Sequence, residues 1–161
     1  MRIVTADDLR KDLILNYFEN YILPKVVLLP GNPKPENRGG YLGIRRTIDG
    51  EVLDLMRVGD FLHRHAEKYE MFSLKKGKRL YHHIPNFHVS SFQSRNLEKG
   101  RHAGAIVAGD FIVSFAGLSE FIDEAAILEL STFSRWIPYK EAEKIAKISN
   151  NFFYPHLKKT V

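Results

Sequence analysis

The chain has no cysteine among its 161 residues. Disulfide frameworks, cysteine-ligated zinc, iron–sulfur clusters and thiol nucleophiles are therefore excluded. No apolar run approaches the roughly 18 to 20 residues needed to span a bilayer. The opening Met1-Arg2-Ile3-Val4-Thr5 turns acidic within a few residues, so a cytoplasmic protein with no membrane partner is expected. Three nucleotide-binding and catalytic signatures are missing as well. Gly77-Lys78-Arg79 lacks the upstream glycine and following Ser/Thr of a phosphate-binding loop, Gly39-Gly40-Tyr41-Leu42-Gly43 does not supply Gly-x-Gly-x-x-Gly after a strand, and Gly-x-Ser-x-Gly does not occur. Whether the protein is an enzyme stays open, because catalytic groups need only meet in space.

What is present suits one folded unit. Hydrophobic residues make up 44% of the chain, enough for a single core without a staple, so residues 1–161 are read as one domain. Lys and Arg number 24 against 19 Asp and Glu, a net charge of +5. Such a surplus favours anionic partners. The basic residues are spread along the chain rather than gathered in a tail, which suits solubility better than a nucleic-acid interface.

The Thr5-Ala6-Asp7-Asp8 stretch resembles a capping box, and apolar Leu9, Leu13, Tyr17 and Tyr21 recur at helical spacing until Pro24. Val26 to Leu29 reads as a short strand, and residues 30–40, with three prolines, as an irregular loop. Tyr41 to Ile48 and Val52 to Val58 flank Asp49-Gly50, a pair suited to a type I′ hairpin. Asp60 can cap a helix over about 61–83, broken near Ser73 or Gly77 and turning Leu62, Ala66, Tyr69, Phe72 and Leu80 inward. Phe87 to Phe92 reads as an edge strand. Ala103 to Ala108 and Phe111 to Ala116 flank Gly109-Asp110, placed as a type II′ turn prefers. Ser119 can cap the next helix, a last one follows Pro138, and the tail from residue 150 reads as loosely held.

This order predicts an α+β fold with a single antiparallel sheet of about five strands and helices packed against it. The segment from Gly104 to Leu118, with Gly109-Asp110 at its turn, is followed by Ser119-Glu120-Phe121-Ile122-Asp123-Glu124-Ala125-Ala126. Together they resemble the C-terminal part of the GlcG/HbpS-like family. Asp49-Gly50-Glu51-Val52-Leu53, Arg57-Val58-Gly59-Asp60 and Ser73-Leu74-Lys75-Lys76-Gly77-Lys78 resemble its upstream hairpin and lysine helix, in the same order. The likeness spans residues 40–130. It departs at Lys99-Gly100-Arg101-His102-Ala103-Gly104, which stands where the family has Gly-Gly-x-Pro. The resemblance implies a profilin-like fold, a small-molecule or haem ligand and a homo-oligomer; the apolar run Phe111 to Phe115 and the 30–40 loop add to the oligomer expectation.

Seven histidines offer imidazole ligands. No pair has chelating spacing: His63 and His65, like adjacent His82 and His83, point to different faces of a helix, so no metal site is expected. A single axial haem ligand needs no spacing, and His82, His83 and His88 lie among Tyr81, Phe87 and Phe92. Lys75, Lys76, Lys78, Arg79 and Arg95 could receive a carboxylate or phosphate, although charge patterning alone favours a solvated helix face. The resemblance singles out Lys76. Glu120, Asp123 and Glu124 fit helix-start roles, while Gly104 and Gly117 would let a ligand approach the backbone. The expected ligand-binding set is Lys76, Arg79, His82, His83, His88, Gly104 and Gly117, in a pocket between the sheet and the helix near residues 72–83, with haem as candidate cofactor. A small enzyme or enzyme accessory acting on an anionic metabolite, and nucleic-acid binding through the basic surface, are the alternatives.

Overall fold

The computed structural model describes residues 2–159. The Thr5–Asp8 capping box is present, but around a 3-10 turn, Ala6–Asp8; helix α1 starts later, at Lys11–Tyr17. A π turn over Phe18–Ile22 carries it into α2, Leu23–Val27. Pro24 does not end the helix. It sits in the first turn of α2, where a missing N–H and a preset φ cost little. Val26 and Leu29 accordingly reach the core from this helix and its exit rather than from a strand.

Strands β1, Arg38–Arg46, and β2, Val52–Asp60, form the first antiparallel hairpin. The connection runs from 47 to 51, longer than the two-residue type I′ turn expected at Asp49-Gly50, and in it only Gly50 has a positive φ, +73°. Strands β3, Ala105–Ala108, and β4, Phe111–Ala116, form the second. There Gly109 has φ +62° and Asp110 does not share it, as a type II′ turn requires. Strand β4 also pairs antiparallel with β1, giving one sheet in the order β2-β1-β4-β3.

The sheet has four strands where about five were expected. Pro85 and a left-handed Phe87 turn the chain, and a 3-10 turn begins at Ser91. Between them only a Ser90–Ile106 bridge and a 2.9 Å bond from the Val107 N–H to the Val89 carbonyl reach β3.

Helices α3, Ala66–His82, α4, Glu120–Phe133, α5, Tyr139–Ile148, and α6, Tyr154–Leu157, complete the fold. Side-chain alternation along the strands separates two layers. Phe111, Val113 and Phe115 join Leu42, Ile44, Met56, Val58 and Ile106 in the main core with α1, α2 and α4. The opposite face, under α3, has a smaller apolar cluster of Leu80, Ala105 and Ile112 beside a polar strip. Ser73 Oγ lies 3.1 Å from Ser114 Oγ, and the Arg45 guanidinium donates to the carbonyls of Gly50 and Leu74 at 3.0 and 2.9 Å. Gly77 makes room for Arg45, since a Cβ there would stand 2.9 Å from Arg45 Nε. The helix runs unbroken past Ser73 and Gly77, burying Ser73, Lys76, Gly77 and Leu80. These four residues fill the space between the middle of α3 and the sheet. Leu62 is 57% exposed because α3 starts only after a 3-10 turn at His63–His65.

Every residue of β4 is buried within the chain, so Phe111 to Phe115 is not a free surface. The segment expected to be loosely held is docked: Asn151, Phe153, Tyr154 and Leu157 are buried; Thr160 and Val161 lie outside the described residues. No described helix is long and apolar enough to cross a membrane.

Candidate functional site

At the end of the sheet where β1 enters and β4 leaves, the chain must pass from one face to the other to begin α4. That crossing opens a groove of about 520 Å³ between α3, the 30–37 loop and the start of α4. Lys76 forms its floor. Its Nζ donates to the Phe115 carbonyl and to Asp123 Oδ2, both at 2.9 Å, with both side chains almost fully buried. Asp123 Oδ1 accepts from the Leu118 N–H at 2.9 Å. Burial pushes the Asp123 carboxyl up from its ordinary value, while the Lys76 ammonium and the Leu118 N–H act against that rise. The pair spans the sheet's end and ties the helix of one face to the helix of the other.

Two glycines allow this crossing. Gly104 has φ +121°, and a Cβ there would stand 2.6 Å from Lys76 Nζ. Gly117 has φ +146°, and its Cβ would meet the Gly39 carbonyl oxygen at 2.2 Å. Gly117 lines the groove, yet its missing side chain serves the close approach of β1.

Around the floor stand Tyr69 and Phe72 from α3, His102, and Phe121 from α4. Glu120 is held in a two-pronged pair with Arg95, at 2.7 and 2.9 Å, and accepts the Ala103 N–H at 3.0 Å. Burial pushes its carboxyl up, but the Arg95 and Ala103 bonds outweigh burial and hold it below its ordinary value. His102 Nδ1 lies 3.5 Å from Glu120 Oε2. Ser119 precedes α4 without capping it, and its hydroxyl is buried with no hydrogen-bond partner. Lys34 and Lys68 stand exposed at the mouth, and neither makes an ion pair among the described residues. No family model, curated protein or solved structure matches the chain.

The seven expected ligand residues fall into three places. Lys76 and Gly117 line the groove, and Gly104 packs against Lys76 Nζ beneath it. Arg79 is spent on the chain itself: its Nε donates to Ser94 Oγ at 2.8 Å and its Nη2 to the carbonyls of Ser91 and His102, the former at 3.1 Å. It fastens the 91–102 segment to α3. The three histidines gather at the far end of α3. His82 is exposed, and His83 stacks on His88 with ring centroids 4.8 Å apart and planes 12° apart. His83 Nδ1 lies 3.1 Å from Asn86 Nδ2, and the buried Nδ1 of His88 has no partner. Burial, then His88, Arg79, Arg101 and His82, lowers the His83 pKa from its ordinary 6.5. Among the described residues no group of three metal-ligating side chains could hold a metal ion.

Asp123, His102, Lys34, Lys68 and Ser119 were not in the expected set. One signal for the floor lay in α3: Ser73, Lys76, Gly77 and Leu80 follow i, i+3, i+4, i+7, which places Lys76 on the inward stripe rather than on a solvated face. Glu124 is a fastening. It accepts from the hydroxyls of Ser90, at 2.6 Å, and Ser149, and from Asn151 Nδ2 at 3.2 Å, and burial pushes its carboxyl up.

Proposed function

We propose that this protein binds a small molecule in the groove between α3 and the start of α4, as a ligand-binding protein of the GlcG/HbpS-like type. The observation that carries the reading is the groove itself: an open cleft of about 520 Å³ floored by a buried ion pair and walled by aromatic rings. Small-molecule sites fall at about 300–1,000 Å³ and combine apolar walls with a few placed polar groups. The family reading is supported by the order β2-β1-β4-β3 with Ser90 bridged to the outer edge of β3, which is what a five-stranded profilin-like layer would leave if its edge strand shrank to one bridge. Self-association belongs to the same reading. Since β4 is internal, the strand available for it is β2, which pairs only with β1; light scattering showing a strict monomer at high concentration would contradict it.

A thermal-shift screen of metabolites tests ligand binding, because a ligand taken only by the folded state stabilises it by about 2.7 kcal/mol at a hundredfold excess over Kd. Hemin is one arm of that screen. His82, His83 and His88 do not line the groove, which leaves His102 as the imidazole available there, so loss of the Soret shift in His102→Ala is expected if haem occupies it. The enzyme reading has one observation in its favour, the pairing of His102 with Glu120 beside the groove, a place for proton transfer. Turnover of a bound metabolite that stops in His102→Gln while binding persists would establish it.

A further inference from the structure

The charges of the groove do not cancel, and their imbalance is confined to its mouth. On the floor Lys76 is matched by Asp123, and on the wall Glu120 is matched by Arg95. The mouth has Lys34 on the loop and Lys68 on α3, both unpaired among the described residues. Lys68 Nζ stands 5.7 Å from the centre of the Phe72 ring, so the cation borders the apolar wall. Phe72 meets the His102 ring edge-on at 6.5 Å, and Phe121 is backed by the Arg95 guanidinium at 5.2 Å from its centre. Both rings thus have fixed neighbours while lining the groove. The first N–H groups of α4 and the partnerless Ser119 hydroxyl add donors at the same end.

A ligand that satisfies both halves of this surface has a flat apolar body and one anionic group. Resting on the small-molecule reading above, we propose that the groove takes an aromatic anion, its ring lying against Phe72 and Phe121 and its carboxylate or phosphate reaching Lys34 and Lys68. Lys76 is not the receptor for that charge, because two of its three donors are already used and Asp123 neutralises it.

Calorimetric titration of naphthoate, naphthyl phosphate, the neutral naphthalenemethanol and inorganic phosphate separates the components. The expected result is that one or both naphthyl anions bind at least about tenfold more tightly than naphthalenemethanol and than phosphate alone, and the tighter of the two identifies the anionic group. In Lys34→Gln/Lys68→Gln the preference over naphthalenemethanol shrinks by about three- to tenfold, the range for two exposed charge contacts. Both substitutions are on exposed side chains, so the fold is retained. Phe72→Ala weakens anion and alcohol alike. Equal binding of anion and alcohol, unchanged by the lysine substitutions but weakened by Phe72→Ala, would overturn the aromatic-anion class while leaving the groove as the ligand site. Binding of none of the four, or binding indifferent to both sets of substitutions, would overturn the site as well.

Discussion

Two clusters of charge flank α3, and they are built on opposite terms. At the groove each buried or half-buried charge meets its opposite: Lys76 with Asp123, Arg95 with Glu120. At the C-terminal end every charged group acting on His83 is itself basic: His88, Arg79, Arg101 and His82. Matched charge lets a lysine sit buried in the floor of a cleft. Burial and unmatched basic neighbours lower the His83 pKa, and its ring stacks on His88. One helix therefore carries a matched ion pair in the groove's floor and, about two turns further on, a corner where burial and basic neighbours disfavour the charged form of His83.

The matched end can be broken most severely. Lys76→Met leaves Asp123 buried without its partner, and urea unfolding should show a loss of about 3–5 kcal/mol. Adding Asp123→Leu should recover part of it, because the penalty is mostly the stranded charge; no recovery would show that the pair is not the source. Gly104→Ala comes next, with a loss of about 1–3 kcal/mol, since the backbone there is left-handed and a Cβ would meet Lys76 Nζ.

The unmatched end is expected to respond to pH rather than to truncation. The His83 pKa is lowered in the folded protein, so below the ordinary value of 6.5 the unfolded chain binds the proton more readily. The stability this neutral ring contributes is present above that pH and is lost as pH falls through it. His83→Gln should flatten this part of the pH dependence, read as the difference between the two proteins' unfolding midpoints at pH 7.5 and pH 5.5; a difference that does not change with pH would break the contrast. The smallest effect is expected at Phe87, 89% exposed with φ +61°. Phe87→Gly should relieve its left-handed backbone, with a gain of no more than about 1 kcal/mol on thermal unfolding.

The features visible in the sequence were those decided by neighbours in the chain. Gly109-Asp110 and the helix after Ser119 depend on local turn chemistry and periodicity, and both are where they were expected. The strand expected at Phe87 to Phe92 failed because an edge strand exists only if its partner's edge accepts it, and Pro85 with the turn at Phe87 delivers only the backbones of Val89 and Ser90 to β3. The first helix ran past Pro24 because a π turn placed the proline at a fresh start. The sequence points to Gly104 and Lys76, but gives Asp123 only a helix-start role. Its real partner lies 47 positions away in the chain, and only the crossing from one sheet face to the other brings them together. The histidines looked like a site for the converse reason: close spacing in sequence put three rings at one corner, away from the groove.

Chemical-shift mapping of backbone amides during titration with the tighter-binding naphthyl anion tests the central claim most directly. Shifts concentrated at Phe72, His102 and the first turn of α4 from Glu120 to Ile122, with His83 and His88 unmoved, are the predicted result. Shifts centred on His83 and His88, or spread over the surface without a focus at the groove, would contradict it.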